Sequence, residues 1–182
     1  MPRVPYVSRE QLSARDQKIY DEIARNRKGV PNPLKALLNN PKAAKRIGAL
    51  GAYVRFDTDL NQATSELVIL TVSRVLNSQY EWSYHEPWAR QAGADEAIIE
   101  GIRRGELPRG DSEQAIAMKY AYELVKNHHV TDQTFKAALA TFEIRGLIDL
   151  TTLVGYYIMI AHVLSALEVS LEDNLTPLLP IS

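Results

Sequence analysis

Residues 77–93 read NSQYEWSYHEPWARQAG, and they bring two carboxylates, an imidazole, two tyrosines and two tryptophans together. Glu81 and His85 are four apart, so on a helix they share one face, and Ser78 extends the same stripe. A histidine titrates near neutral pH. Beside a carboxylate it can give or take a proton from a bound molecule. Tyr80, Trp82, Tyr84 and Trp88 would then form the walls of a substrate pocket. Pro87 removes a helical donor and crowds the Ser83 carbonyl, which predicts a loosened turn beside the imidazole.

Other readings of the same residues stand beside this one. Glu–His pairs four apart are common on solvated helices, and the aromatics could be core. Such a pair could also supply two metal ligands. Three further histidines exist, His128, His129 and His162. The first two read as the end of a helix, where the dipole favours them, and His162 as a core histidine of an apolar helix. No metal and no cofactor are therefore expected, and no glycine-rich phosphate loop occurs.

The chain has 182 residues, of which 46% are hydrophobic, enough for one domain with a sizeable core. Lys and Arg number 21 and Asp and Glu 22, so the net charge is 21 − 22 = −1. That balance gives no electrostatic footprint for nucleic acid. There is no cysteine, which excludes disulfides, thiolate metal sites and thiol nucleophiles. The opening MPRVPYVSRE has no apolar signal stretch, so a cytoplasmic protein is the expectation. Residues 147–167 could span a bilayer by length. Their polar residues, Asp149, His162 and the hydroxyls, favour a buried helix and no membrane.

The periodicity is helical almost throughout. Ser8 with Gln11 suggests a capping box, with Leu12, Ile19 and Ile23 on one face. Residues 27–33 read as a loop. Helices are expected over 41–56, 61–76, 78–93, 95–105, 112–129 and 131–144, and along 147–167. Gly93 and Gly105 serve as stops, and Ser112 and Thr131 as N-caps. The 61–76 segment has strand-like residues at its centre, but its length favours helix. The tail from residue 173 is irregular. The class is all-α, with about eight or nine helices.

Residues 65–105 resemble the carboxymuconolactone decarboxylase and alkylhydroperoxidase D superfamily, and the likeness extends over roughly 30–170. It implies an alkylhydroperoxidase D-like helical bundle, with 1–29 a helical arm and 171–182 a tail on a single domain. The thiol peroxidase branch has Glu, then Cys after twelve residues, Cys after three more and His after four. Those positions here are Glu66, Ser78, Glu81 and His85. The spacing holds and both cysteines are gone, so the thiol chemistry of that branch is not expected. The resemblance implies that Glu66, Glu81 and His85 carry acid–base chemistry on a small molecule, with Ser78, Tyr80 and Tyr84 as pocket donors. A lyase, decarboxylase or isomerase needing no cofactor is the expected enzyme, and a non-catalytic ligand-binding or scaffold protein is the alternative. It also implies a homo-oligomer (dimer, trimer or hexamer), with the apolar helix near the interface and Val154, Tyr157, Ile158 and Val163 as candidate contacts.

Overall fold

A computed structural model of the chain describes residues 2–25, 27 and 29–180. Lys28 of the expected loop and Ile181 and Ser182 of the tail lie outside the described residues. Eight α-helices follow one 3-10 turn, and no strand occurs among the described residues. They are α1 (Ala14–Arg25), α2 (Asn32–Leu37), α3 (Pro41–Phe56), α4 (Gln62–Val75), α5 (Gln79–Gln91), α6 (Glu96–Arg103), α7 (Glu113–Asn127) and α8 (Asp132–Leu167). The all-α expectation is met.

The bundle is built around α4. Every residue of α4 from Ala63 to Ser73 is buried, and the helix packs against α5, α6, α7 and α8. The β-branched residues at its centre fill space between helices and pair with no strand. Asn61 caps it, accepting from the amides of Ala63 and Thr64. On one side Val68, Ile69 and Val72 meet α7 and α8 through Tyr120, Leu150, Leu153 and Tyr157. On the other, Leu67 and Leu70 meet Trp82, Ile99, Ile102 and Met118.

Local signals set most boundaries. Ser112 and Thr131 accept from the amides of Ala115 and Thr134. Gly93, at φ +82°, ends α5, with the Ala94 amide returning to the Ala89 carbonyl, the wrapped closure that favours glycine. Ser8 and Gln11 do pair, the Ser8 amide donating to Gln11 Oε1 at 2.7 Å, but they open only the 3-10 turn. The helix itself starts at Ser13, whose Oγ accepts from the Asp16 amide. Asn32 opens α2 inside the expected loop.

Along α8 the two expected helices run together, broken at Glu143 with φ 55° and ψ −178°. Among the described residues α8 alone is long and apolar enough to cross a membrane. Its Leu150, Leu153, Val154, Tyr157, Ile160 and Leu164 are committed to the bundle core. His162 departs from the core position expected of it. It is exposed, with Nδ1 against the Ile158 carbonyl at 2.7 Å, because it points away from the α4 side. The tail is irregular but anchored. Leu179 is buried, the Leu178 amide donates to Ser83 Oγ at 3.0 Å, and Arg103 reaches the Leu178 carbonyl.

One glycine allows a close approach that the site needs. A Cβ on Gly51 of α3 would overlap the Tyr156 hydroxyl and crowd Arg27. Gly51→Ala is expected to destabilise the protein by about 1–3 kcal/mol, the cost of overpacking a filled contact; thermal melts against wild type check it.

The large hydrophobics that remain exposed are Leu50, Tyr53 and Phe56 on α3 and Phe135, Ile144 and Ile148 on α8. Helices α3 and α8 pack together, with the Tyr53 hydroxyl bonded to Asp149, the residue after Ile148, so part of this apolar surface adjoins across two helices. Val154 and Tyr157 are 0% and 3% exposed. They are core and cannot make the intersubunit contacts expected of them, whereas Ile158 stays partly open. A homo-oligomer buried through the α3–α8 face is expected, and Ile148→Glu should weaken it. Light scattering at micromolar concentration tests this: a species near the 20.4 kDa chain mass would exclude it.

Candidate active site

Three helices deliver the candidate residues to one point. Glu66 comes from the second turn of α4, Glu81 and His85 from successive turns of α5, and Tyr157 from the C-terminal half of α8. His85 Nδ1 lies 2.7 Å from Glu66 Oε2. A carboxylate can only accept, so this nitrogen carries a proton. On the other side, His85 Nε2 lies 3.1 Å from the Tyr157 hydroxyl and 3.4 Å from Glu81 Oε2. Glu66, Glu81 and His85 are 5%, 4% and 2% exposed, so bulk water screens their charges little.

Burial works against a charged imidazole, but the Glu66 carboxylate and the contact with Glu81 outweigh it and raise the His85 pKa above its ordinary value. Burial also holds the Tyr157 phenol well above its ordinary value, so Tyr157 remains a hydroxyl. Neutral His85 accepts from Tyr157. The cation instead turns an Nε2–H toward the Tyr157 oxygen and Glu81. A carboxylate at 3.4 Å favours that second form, a proton held ready for donation.

Two small recesses flank this cluster. The first, about 50 Å³, is lined by Glu81, His85 and Tyr157 together with Tyr80, Tyr156 and the α2 residues Pro33 and Leu34. The second, about 110 Å³, is lined by Glu66, Gln62, Phe56 and Trp88. Arg27, Arg55 and Tyr84 border both. Each has room for a few waters or a small ligand.

Of the aromatic residues expected at the pocket, Tyr80 and Tyr84 line it, their rings stacked with centroids 6.1 Å apart. Tyr80 is no free donor, since its hydroxyl donates to Glu172 Oε1 at 2.7 Å. That same oxygen accepts the Asn32 amide at 2.7 Å, so the tail ties α5 to the start of α2 at the rim. Trp88 borders only the second recess.

Trp82 corrects the expectation. It is 0% exposed and packs among Leu67, Ile99 and Met118, with Nε1 donating to Glu86 Oε2 at 2.5 Å. One residue after Glu81, it is turned about a quarter of the way round the helix and faces α4 and α6. Ser78 is corrected too. It is the N-cap position of α5 and makes no side-chain cap bond. It lies two turns before His85 and borders neither recess. Pro87 is on the exposed side and α5 continues through it to Gln91, so the helix does not break beside His85.

Arg27 and Arg55 were not singled out by sequence, and Tyr157 was named only as a candidate intersubunit contact. Arg55 sits in the last turn of α3, where a cation reads as an ordinary helix-end charge. The hydroxyl inside the apolar run of α8 was the one signal for Tyr157. Among the described residues no group of three or more acidic or histidine side chains is arranged to hold a metal ion.

The carboxymuconolactone decarboxylase family model matches residues 41–126, a span holding α3 to α7 and with them Glu66, Glu81 and His85. That stretch is similar to the carboxymuconolactone decarboxylase family, and the fold of the chain is alkylhydroperoxidase D-like. Solved structures share its fold at low identity. An alkylhydroperoxidase D core, an uncharacterised peroxidase-related protein from Ralstonia eutropha JMP134, superposes with a TM-score of 0.77 at 15% identity over 94% of this chain and 93% of that one. A peroxidase-related protein from Silicibacter sp. TM1040 gives 0.76 at 19% over 93% and 90%. A cysteine-to-alanine variant of the debrominase Bmp8, in complex with 2,3,4-tribromopyrrole, gives 0.75 at 12% over 93% and 91%. No curated protein matches the sequence significantly. The two positions that carry cysteines in the thiol peroxidase branch have separate fates here. Ser78 lies outside the recesses, and Glu81 stands at His85 Nε2.

The buried cluster has a pH signature. The folded-state pKa of His85 is raised above 6.5, so the folded protein binds this proton more tightly than the unfolded chain. The stabilisation is fully present below about pH 6.5 and is lost as pH rises through the folded-state value. The melting difference between wild type and His85→Gln is therefore expected to be larger at acidic than at alkaline pH. Melts across that range check it, and a gap that widens with pH would contradict it. His85→Ala is a poor probe. It would strand two buried carboxylates, at a cost of about 3–5 kcal/mol.

Proposed function

We propose that the protein is a cofactor-free proton-transfer enzyme, a lyase, decarboxylase or isomerase, acting on a small aromatic or lactone-type acid. The observation that carries this reading is the buried Glu66–His85 pair, whose free nitrogen faces Tyr157 and Glu81 at the wall of a recess. Glu66 fixes the tautomer and the ring orientation. His85 gives or takes the proton through Nε2. Tyr157, kept protonated, and Glu81 supply a donor and an acceptor beside it, so a developing oxyanion or a departing proton each has a partner. The tyrosine-rich lining suits a flat, partly apolar molecule. A protein of the same fold holds 2,3,4-tribromopyrrole, which supports that size and shape. The chain has no cysteine, so a reaction that runs through a thiolate is not open to it.

A ligand-binding protein without chemistry is the second reading. The small volume of the recesses and the near-complete burial of His85 favour it.

Carbon-bound hydrogen exchange separates the two. Small unsaturated acids and lactones in deuterated buffer should lose C–H signals by proton NMR only with active protein. Glu66→Gln should lower that rate by about 10²–10⁴-fold, the usual worth of a general acid–base, and displace its pH profile to the acid side, because His85 loses the charge that raises its pKa. No exchange and no carbon dioxide release across such a panel would favour the binding protein.

A further inference from the structure

Two cations at the recesses have no carboxylate to pair with. Among the described residues neither Arg27 nor Arg55 makes an ion pair, whereas Arg90 and Arg103 share the buried Glu86. Arg27 is half-buried, with its guanidinium donating only to backbone, to the Gly48 carbonyl at 2.7 Å and the Ile23 carbonyl at 3.4 Å. Among the described residues Arg55 has no carboxylate partner, only the Tyr84 hydroxyl is near enough to act on its charge by hydrogen bonding, and its buried Nε is without a partner. Its guanidinium carbon sits 4.9 Å from the Phe56 ring centre, 5.7 Å from Tyr84 and 5.9 Å from Trp88. Aromatic faces stabilise a cation only partly, and they leave its hydrogen-bond donors unused. The Arg27 guanidinium is pulled below its ordinary pKa, first by burial and also by the Arg55 charge. The two cations therefore repel one another across a space they both line.

Counting formal charges, Arg27 and Arg55 oppose Glu66 and Glu81, and protonated His85 leaves one positive charge over. Glu66 and Glu81 both face the imidazole; the Glu66 charge favours the Arg55 cation across the second recess but makes no ion pair with it.

We propose that Arg55, assisted by Arg27, is the anchor for the carboxylate of a small planar acid, whose carbon skeleton lies in the first recess toward His85. Arginine's planar fork matches a carboxylate in two-point geometry. The anion would supply the missing acceptor and cancel the surplus charge. The recess is also lined by Pro33, Leu34, Tyr80 and Ile160, whose apolar surface would receive the uncharged part. This assignment rests on the acid–base reading for its orientation, but its test measures binding and needs no turnover.

The probes are furan-2-carboxylate and furan-2-carboxamide, equal in shape and different in charge. Ligand-observed NMR titration of the full chain should show the acid binding about tenfold or more tightly than the amide, the worth of a charge-assisted hydrogen-bonded pair. Arg55→Gln should remove that preference, Arg55→Lys should keep part of it, and the exposed Arg46→Gln should leave it unchanged. Soaked 5-bromofuran-2-carboxylate should place its carboxylate on Arg55 and its bromine, located by anomalous scattering, in the first recess. Equal binding of acid and amide by wild type overturns the proposal without recourse to any variant. So does a preference that survives Arg55→Gln, or a carboxylate bound elsewhere. Turnover of a neutral compound with no affinity for the acid would leave the acid–base reading standing and remove this one. Acid binding without hydrogen exchange would do the reverse.

Discussion

A buried imidazole held between two buried carboxylates constrains the rest of the molecule. Taking Glu66, Glu81 and His85 out of water has a large desolvation cost, and only close mutual geometry offsets it. The helices must therefore agree on one point in space. Helix α4 is buried along its length, so Glu66 cannot turn to solvent and depends on the 2.7 Å contact with His85. Helix α5 must keep Glu81 and His85 on the side facing α4 and α8. It does so because Trp82 and Ala89, on the adjacent strip of the helix, are locked into a second apolar cluster with α6.

The periphery is arranged to hold that point. Gly51 lets α3 come close to Tyr156 and Arg27, which fixes Arg55 four residues further along the same helix. Glu172 joins Tyr80 to the first amide of α2, so the apolar wall of the first recess depends on the C-terminal tail. The tail is then part of the site's construction despite its lack of regular structure. Its anchors are polar contacts to Ser83 and Arg103 and a single buried leucine, Leu179.

The helical class and most boundaries were legible because they rest on local rules. Gly93, Asn61, Ser112 and Thr131 act within one turn of chain, and α3 runs from Pro41 to Phe56 as its sequence suggests. The Glu81–His85 pair was legible from the helical period. Glu66 was legible only through the superfamily spacing, since nothing local ties it to His85 nineteen residues on. What was not legible depends on which side of a helix another helix covers. Trp82 and Trp88 have the same composition signal, yet one is core and the other borders a recess. Ser78 follows the stripe but falls past the end of the cavity. Val154 and Tyr157 looked like surface contacts because α8 is apolar nearly all round. They are core because α4, rather than a second subunit, covers them.

The loss of both cysteines changes the electrical character of the site as well as its nucleophile. At the position of the first, Ser78 is outside the recesses and leaves the chemistry without a substitute there. At the position of the second, Glu81 places a fixed acceptor 3.4 Å from His85 Nε2. A thiol beside a neutral imidazole is a proton donor and favours a basic histidine. A carboxylate in that place favours the imidazolium, so the same Glu–His scaffold is biased toward giving a proton instead of taking one. That bias brings in a further positive charge, and Arg27 and Arg55 already line the same space. An anion bound there raises the His85 pKa, and a protonated His85 by the same factor tightens the anion, because the two equilibria are linked. A substrate carboxylate would thus load the acid that acts on it, and loss of the proton from His85 would loosen the product.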